Sequence, residues 1–280
     1  MIKIKFIIKR IISILVTLLS RFKAGRFFYS QIIDNAMTRL HKVNHNDLEL
    51  FISVPNALNE YRAKTFSTKE PETLEWIDRI PENSVFWDIG ANVGLYSCYA
   101  AKQKNCRVFS FEPSVFNLEL LARNIFINGL VDKITIVPLP LSESLAFNTL
   151  NMSTTDWGGA LSTFGEEYGV DGKNMNSIFK IPTIGLSMND AVNNLNITQP
   201  DFVKMDVDGI EHLILKGGMS ILKNAKEILI EINDNFDAQS VESTKFLKQS
   251  GFVLKEKRHA EEFDSGHGPE EFIFNQIWTK

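Results

Sequence analysis

The chain has 280 residues, of which 44% are hydrophobic and 11% aromatic. This composition excludes a disordered chain and leaves room for one α/β domain with an extension. The formal net charge of −4 argues against the clustered basic surface that nucleic-acid binding requires. Cys98 and Cys106 are too few for a disulfide framework and lack metal-ligand spacing, so we expect reduced, buried thiols in a cytoplasmic protein.

Residues 1–42 form a basic, apolar segment for which the pattern predicts a helix. The segment contains nine lysines and arginines but only one acid. The apolar stretch from Ile11 to Leu19 is shorter than the roughly 20 residues that span a bilayer. Its spacing suits a helix in an anionic membrane interface, and equally a helix packed on its own domain or on a second subunit. We therefore expect either peripheral membrane contact through residues 1–22, on the cytoplasmic face, or a packed helix, which could join a homodimer.

Residues 43–82 are predicted to form a helical extension. Leu48, Phe51 and Ile52 recur at helix-like intervals. A further helix is expected after the break at Glu70-Pro71, where it leads into the first strand of the sheet.

The segment from Val85 to Gly94 joins an apolar strand to a helix through a glycine turn. Asp88 ends the apolar run, and Gly90 and Gly94 allow the backbone to turn tightly and to approach a ligand closely. The following helix directs its free N–H groups toward the same place. This pattern indicates a nucleotide pocket at the carboxyl ends of the strands in a doubly wound sheet.

A second apolar run, Phe109 to Phe111, ends in Glu112, which is placed to reach ribose hydroxyls. A dinucleotide fingerprint would read G-x-G-x-x-G, whereas this loop reads Asp-x-Gly-x-x-x-Gly. The acid before the first glycine, Asp88, would repel a pyrophosphate and favours an ammonium group. S-adenosylmethionine has ribose hydroxyls, an ammonium group and no phosphate, so the chain resembles the class I methyltransferases that use this cofactor.

The residues from Asp201 to Gly218 sharpen the resemblance. They contain a lysine-x-aspartate-x-acid-glycine-x-glutamate run that ends in leucine-lysine-glycine, and this run is similar to the hallmark of the FkbM family of methyltransferases. One departure is Asp208, where the family usually has glutamate. Alternating strand and helix patterns after residue 82 agree with a parallel sheet. Between them, an edge hairpin is expected at Ala146 to Met152.

The resemblance implies a fold and a set of cofactor-binding residues. The expected fold is α/β, a Rossmann-like seven-stranded methyltransferase sheet over residues 83–280, mostly parallel with an antiparallel C-terminal hairpin, preceded by the N-terminal helical extension. The segment from Tyr61 to Phe66 is expected to close the pocket as a lid. The residues expected to bind the cofactor are Asp88, Gly90, Asn92, Gly94, Glu112, Pro113, Asn128, Ser142 and Asp206.

Methyl transfer to an alcohol requires the acceptor oxygen to be held in line and its proton to be accepted. Asp206 lies at the predicted carboxyl end of the fourth strand and is the first candidate for base or substrate orienter. Asp208, Glu211 and His212 follow on the next turn, where crowded carboxylates raise one another's pKa, and Glu231 ends the next strand. The helix dipole explains acids at this helix start equally well, and a structural role for His212 is the simpler interpretation.

Asp156, Trp157 and Gly159 lie in a polar loop and are candidates for holding a sugar by hydrogen bonds and stacking, although a turn with a packed tryptophan explains them equally. No metal is predicted, and Asp206 and Asp208 are only weak candidate ligands. The remaining possible ligands are better explained as a solvated loop; they are His259, Asp264, His267 and Glu270.

The sequence therefore predicts an S-adenosylmethionine-dependent O-methyltransferase that acts on a sugar hydroxyl of a glycan or glycolipid precursor. Two alternatives stay open. The acceptor could be a small natural product or a protein side chain, or the chain could be a non-catalytic cofactor-binding scaffold in a membrane-associated glycan assembly complex. The Asn/Asp-Pro-Pro-aromatic motif of base-methylating enzymes does not follow the fourth strand.

Overall fold

The computed structural model describes residues 2–259 and 269–280. The elements before the central sheet are α1 (Ile2–Leu19), α2 (Lys23–Met37), β1 (Leu40–His45), β2 (Leu48–Ser53), α3 (Ala57–Lys64) and α4 (Pro71–Arg79). They are followed by β3 (Val85–Ile89), α5 (Leu95–Gln103), β4 (Arg107–Phe111), α6 (Val115–Ile127), β5 (Ile134–Val137), β6 (Ala146–Met152), β7 (Ser162–Phe164) and β8 (Phe179–Gly185). The last are α7 (Met188–Asn193), β9 (Phe202–Met205), α8 (Glu211–Lys216), α9 (Met219–Leu222), β10 (Glu227–Asn233), α10 (Asp237–Gln249), β11 (Val253–Arg258) and β12 (Ile273–Thr279).

Within the described ranges, the central sheet has seven strands in the order β11-β12-β10-β9-β3-β4-β5. The strands from β10 to β5 pair in parallel, while β12 is antiparallel to both of its neighbours. The predicted Rossmann-like, mostly parallel sheet with an antiparallel C-terminal hairpin is therefore confirmed. Its central strands are apolar runs because helices cover both faces, so that Trp87 and Val203 are fully buried.

The strand order reverses between β3 and β9, and ligands bind at such a switch point in open α/β sheets. Gly90, directly after β3, has φ +84°, and a Cβ there would collide with the carbonyl oxygen of Asp206, directly after β9. The N–H groups of Gly90 and Ala91 both donate to the carbonyl of Phe111 at 3.0 Å, and the N–H of Asp206 donates to Ile89 at 3.0 Å. The ends of β3, β4 and β9 are thereby tied together.

Residues 40–53 form the hairpin β1–β2, so the helix predicted for this part of the extension is wrong. Leu50 and Ile52 are buried whereas Phe51 between them is exposed, which is the alternation of a strand. The turn Asn46-Asp47 has positive φ at both residues, as tight two-residue hairpin turns require. Helices α3 and α4 follow, and α4 confirms the helix predicted after Glu70-Pro71.

Asn124 of α6 and Asn128, which directly follows this helix, hold the hairpin against the domain. Asn124 Oδ1 accepts the N–H of Ser53 at 2.8 Å. Asn128 Oδ1 accepts the N–H of Phe51 at 3.0 Å, and its amide donates back to the Phe51 carbonyl at 2.7 Å. These side chains pair with an edge strand as another strand would. The structure therefore corrects the prediction that Asn128 binds the cofactor, because its polar atoms are used by β2.

Strand β6 is the centre of a separate three-stranded antiparallel sheet with the order β7-β6-β8. The strand predicted at Ala146 to Met152 is confirmed, but it is not an edge hairpin of the central sheet. Leu150 and Met152 join the main core, while Phe147 is exposed, so one side of this small sheet is buried against the domain.

Helices α1 and α2 differ from the rest of the chain because no residue from 6 to 42 is buried. The packing of this segment on its own domain, one of the two alternatives, is therefore not observed. Among the residues that the structure describes, no helix combines the length and apolar character needed to cross a membrane.

We expect Gly90→Ala to lower the free energy of unfolding by more than about 1–2 kcal/mol, because the new Cβ adopts a left-handed conformation and collides with backbone. Gly169→Ala is the matched control, since a Cβ at Gly169 would meet no atom within 4 Å. It should change stability by less than about 0.5 kcal/mol. Urea unfolding measures both; equal stabilities of the two variants would show that the close approach at Gly90 is not a constraint.

Candidate functional site

A cavity of about 620 Å³ opens at the carboxyl ends of β3, β4, β5 and β9. Its wall includes Gly90 and Asn92 after β3, Glu112 after β4, Leu141 after β5 and Asp206 after β9. Parts of α3, the residues before α4 and the loop between β6 and β7 complete it. Small-molecule sites commonly measure about 300–1,000 Å³, so the cavity can enclose a nucleoside-sized ligand.

Glu112 is a buried carboxylate on the cavity wall, with 4% of its surface exposed. Its Oε2 accepts the backbone N–H of Asn92 at 2.8 Å, and its Oε1 accepts that of Ser114 at 2.8 Å and the side-chain amide of Asn117 at 3.4 Å. Burial raises the pKa of Glu112 to about 7, against these hydrogen bonds. A carboxylate has about four lone-pair sites, so it can accept one further hydrogen bond from a ligand.

Of the residues predicted to bind the cofactor near the loop after β3, some line the cavity and one is explained by packing. Gly90, Asn92 and, after β4, Pro113 line the cavity. Gly94 lies off the cavity wall, and its φ of +80° and the close contact with Leu121 of α6 explain the glycine by packing. The prediction that Gly94 contacts the cofactor is corrected accordingly.

Asp88 lies behind the cavity wall and does not line it. Its Oδ2 accepts the hydroxyl of Ser97 at 2.5 Å. Burial raises the pKa of Asp88, opposed by the charge of Lys204. Its Oδ1 is buried and accepts no hydrogen bond from the described residues, so the predicted contact of Asp88 with an ammonium group stays a prediction. Ser142 is likewise outside the cavity wall, where its N–H donates to the carbonyl of Leu186 at 2.9 Å.

Lys204 and Asp206 form an ion pair at the end of β9, with Nζ and Oδ2 2.9 Å apart. Lys204 is 2% exposed, and its Nζ lies 5.1 Å from the ring centroid of Tyr96. Burial alone would raise the pKa of Asp206, but the charges of Lys204, Lys69 and Arg62 outweigh it and hold this pKa below the ordinary value. Asp206 is therefore an ionised carboxylate on the cavity wall.

Asp208 also lines the cavity, but its pKa is raised whereas that of Asp206 is lowered. Its Oδ2 accepts the N–H of Leu161 at 2.8 Å and that of Ser162 at 3.2 Å, which joins the end of β9 to the loop before β7. Burial, together with the charge of Asp206, raises the pKa of Asp208 to about 6. Asp208 can therefore exchange a proton close to neutral pH.

Glu231 completes the set of predicted acids that reach the cavity. Burial and the neighbouring carboxylates of Asp206, Glu70 and Asp208 raise the pKa of Glu231 well above its ordinary value. This upward shift favours the protonated form of Glu231, in which the carboxyl group can donate a hydrogen bond.

Glu211 and His212 lie outside the cavity wall, although both are catalytic candidates from the sequence. The fully buried Glu211 accepts N–H groups of the preceding turn at 3.0 and 3.1 Å and the amide of Gln239 at 2.5 Å. Burial raises the pKa of Glu211 to about 7. The ring of His212 contacts Phe236 edge-on at 6.2 Å between centroids. Glu211 therefore supports the turn that carries Asp208 through its backbone contacts, whereas His212 packs against Phe236.

The loop between β6 and β7 reaches the cavity through its backbone. Gly159 lines the cavity, whereas Asp156 is exposed and Trp157 is set back from the wall. The carbonyl of Trp157 accepts the side-chain amides of Asn56 at 2.9 Å and Asn59 at 2.7 Å. These contacts support the alternative, a turn held by its carbonyl groups, while sugar contacts by Asp156 and Trp157 stay a prediction.

The segment expected to act as a lid, 61–66, lies on the cavity wall and brings charges that the sequence interpretation missed. Arg62 donates to the carbonyl of Gly158 from Nε at 3.1 Å and from Nη2 at 2.8 Å. Lys69 Nζ lies 3.1 Å from Glu70 Oε1. The sequence signal for these charges was the Lys69-Glu70 pair before α4, but the sequence pattern explains this pair only as the start of a helix.

Within the described residues, no group of three or more His, Cys, Asp or Glu side chains is arranged to hold a metal ion. This statement includes Asp206 and Asp208, the weak candidate ligands. His259 lines the cavity and stacks on Phe274 at 4.5 Å between ring centroids. The other candidates lie outside the described residues; they are Asp264, His267 and the side chain of Glu270.

We expect Glu211→Gln to remove part of the pH dependence of stability. The pKa of Glu211 is raised from 4.5 to about 7, so its contribution to stability is complete below the lower value and is lost as pH rises through the higher one. The shift corresponds to about 3 kcal/mol. Urea unfolding from about pH 5 to about pH 8 should show a smaller decline for Glu211→Gln than for wild type.

Glu82→Gln removes an exposed carboxylate and is the control for this exchange. It should follow the wild-type profile. A Glu211→Gln variant that also declines like wild type would contradict the buried, proton-binding role of Glu211.

A family model described as the methyltransferase FkbM domain matches residues 88–255. The hexuronic acid methyltransferase AglP of Haloferax volcanii is 26% identical over 175 residues, which cover 62% of this chain and 65% of that protein. The chain thus spans less than two thirds of that relative's length.

Among solved structures, the methyltransferase FkbM of Methylobacillus flagellatus KT aligns with TM-score 0.48 and 16% identity, covering 80% of this chain and 53% of that one. The tRNA m1G37 methyltransferase of M. jannaschii aligns with TM-score 0.46 and 17% identity, covering 86% of this chain and 54% of that one. Because the FkbM model covers more than half of the residues, the chain belongs to the FkbM family of methyltransferases.

Proposed function

We propose that the chain is an S-adenosylmethionine-dependent O-methyltransferase that acts on a sugar hydroxyl of a glycan or glycolipid precursor in the cytoplasm. The observation that carries the proposal is the buried Glu112, held at the end of β4 beside the glycine loop after β3. Membership of the FkbM family supports methyl transfer. The name of the relative AglP, a hexuronic acid methyltransferase, supports a sugar as acceptor.

The residues of the cavity fit the proposed cofactor. Glu112 has hydrogen-bonding capacity left for a ribose hydroxyl, and the absence of a Cβ at Gly90 opens the backbone to a ligand. The ionised Asp206 favours a cationic ligand over a phosphate. When bound, S-adenosylmethionine supplies an electrophilic methyl group on a positively charged sulfur.

The two carboxylates after β9 suit different parts of the transfer. Asp206 stays ionised beside Lys204, so it can hold the acceptor hydroxyl as a hydrogen-bond acceptor. Asp208, with a pKa of about 6, is better matched to taking up the hydroxyl proton near neutral pH. The raised pKa of Glu231 favours its protonated form, which can donate a hydrogen bond to a second polar group of the acceptor. We assign Asp206 and Glu231 to orientation and Asp208 to proton transfer.

The acceptor class rests on the relative and on the polar side of the cavity. Arg62, Lys69 and Glu70 offer charged groups beside the aromatic Tyr61, a combination that suits a polar ligand with an apolar face. A small natural product and a protein side chain are the other acceptors to include in a labelled-methyl panel. Methylation of a sugar in preference to both is the outcome that supports the proposal.

We expect Glu112→Gln to weaken binding of S-adenosylhomocysteine about 10- to 100-fold, because a hydrogen bond to a charged group contributes about 1.5–3 kcal/mol. Isothermal titration calorimetry measures the change. Glu119→Gln makes the same exchange at a residue that is 41% exposed, and it should bind like wild type. Unchanged affinity in Glu112→Gln, or tighter binding of a nicotinamide dinucleotide, would overturn the cofactor assignment.

We expect kcat at saturating cofactor to fall as pH drops through about 6, because Asp208 then carries a proton and cannot accept another. Asp208→Asn should lower kcat about 100-fold or more and abolish this acidic limb. Asp206→Asn should mainly raise the KM for the acceptor. The exposed Asp156→Asn serves as control in the same labelled-methyl assay, and an acidic limb that persists in Asp208→Asn would reassign the base.

A further inference from the structure

Helices α1 and α2 expose an apolar surface that no described residue covers. Ile7, Ile11, Leu18 and Phe27 are between 46% and 68% exposed, and no residue from 6 to 42 is buried. Contiguous apolar surface of this kind marks a site of interaction, since isolated exposed apolar residues are the normal case. We propose that α1 and α2 dock in the plane of an anionic lipid surface.

The two sides of α1 differ in the way that interfacial helices require. Successive residues of a helix are rotated by about 100°, so residues three, four, seven and eight apart share a side. One side of α1 carries Ile7, Ile8, Ile11, Ile14, Leu15 and Leu18. The opposite side carries Lys9, Arg10, Ser13 and Thr17, together with Phe6 and Val16. A basic and hydroxyl-bearing face opposite a broad aliphatic face is typical of helices that lie at the headgroup boundary.

The charge of the segment selects a lipid surface over a second copy of the chain. Residues 1–42 contain nine bases and one acid, Asp34. Two copies that joined through this surface would bring like charges together, whereas an anionic membrane attracts them. Each base near such a surface strengthens binding about 5-fold. These bases would not strengthen binding to an uncharged apolar partner.

The corner between α1 and α2 is closely packed, which keeps both apolar surfaces in a defined arrangement. A Cβ at Gly25 would collide with the carbonyl oxygen of Leu19. The guanidinium of Arg26 donates to two carbonyls that follow α1, at 3.2 and 3.4 Å. Phe22 and Phe27 project at this corner and are 69% and 68% exposed. Aromatic and basic side chains therefore meet at one place, as they do in membrane-interface anchors.

The docking helices are joined to the wall of the cavity. Arg39, two residues after α2, pairs with Glu60 of α3 at 3.0 Å. The next residues of α3, Tyr61 and Arg62, line the cavity. Docking thus anchors the side of the domain that carries the expected lid. This arrangement suits a lipid-linked acceptor, a consequence that rests on the proposed function, whereas docking itself does not.

Vesicle flotation of the full chain tests the proposal. We expect the wild type to float with vesicles of equal parts phosphatidylglycerol and phosphatidylcholine, and at least about 10-fold less with pure phosphatidylcholine. High salt should weaken flotation because it screens the charges. Ile11→Asn with Leu15→Asn should reduce partitioning at least about 10-fold by removing apolar area. Ser13→Asn with Thr17→Asn places the same residue type on the opposite side of α1 and should float like wild type.

Equal flotation of both asparagine pairs, or equal binding of wild type to both lipid mixtures, would overturn the proposal. Sedimentation velocity without lipid tests the second-copy alternative. A dimer that the apolar-face variant dissociates, while flotation stays unchanged, would assign the surface to a subunit contact instead. S-adenosylhomocysteine titration of each variant checks that the domain is intact, so a failed methyl-transfer assay and failed docking are told apart.

Discussion

The close approach of Gly90 to the carbonyl oxygen of Asp206 is the constraint on which the site depends. It lets the loop after β3 lie directly against the end of β9, while the carbonyl of Phe111 accepts two N–H groups of the same loop. Glu112 and the acids after β9 consequently open into one cavity although they come from different strands. A side chain at Gly90 would separate these strand ends, because the obstacle is backbone and cannot rotate away.

The charges of the cavity are organised around one buried cation. The charge of Lys204 holds the pKa of Asp206 below its ordinary value and opposes the burial that raises the pKa of Asp88. The charges of both acids raise the pKa of Lys204 despite its burial. Asp208 and Glu231 gain no comparable partner, and burial with like-charged neighbours raises their pKa. Within one cavity the pKa of Asp206 is therefore lowered, whereas those of Asp208 and Glu231 are raised. Such divergence of pKa is how sites with several acids assign them different roles.

The chain before residue 40 differs from the chain after it in burial and in charge. The domain after this point is stabilised by two apolar cores and by side chains that complete backbone hydrogen bonding, as Asn124 and Asn128 do for β2. No residue of helices α1 and α2 from position 6 onward is buried, and residues 1–42 have nine bases and one acid in a chain whose net charge is −4. The helical form of α1 and α2 is consistent with local spacing, while most of their described apolar side chains are exposed. The proposed lipid surface would supply the missing apolar environment.

The sequence by itself determined the alternation of strands and helices, the glycine loop and the position of Glu112, because these depend on neighbouring residues and on short, recurrent spacing. It also determined which acids follow β9. Only the tertiary structure decided that Asp206, Asp208 and Glu231 reach the cavity while Asp88 and Glu211 do not, since partners distant in the chain set each side chain's direction. The tertiary structure also decided the β1–β2 hairpin. Its short apolar spacing fits both a helix and a strand, and the positive φ angles at its turn identify the strands. The sequence did not predict that Arg62 and Lys69 belong to the site, because they come close to Asp206 only after the chain has folded.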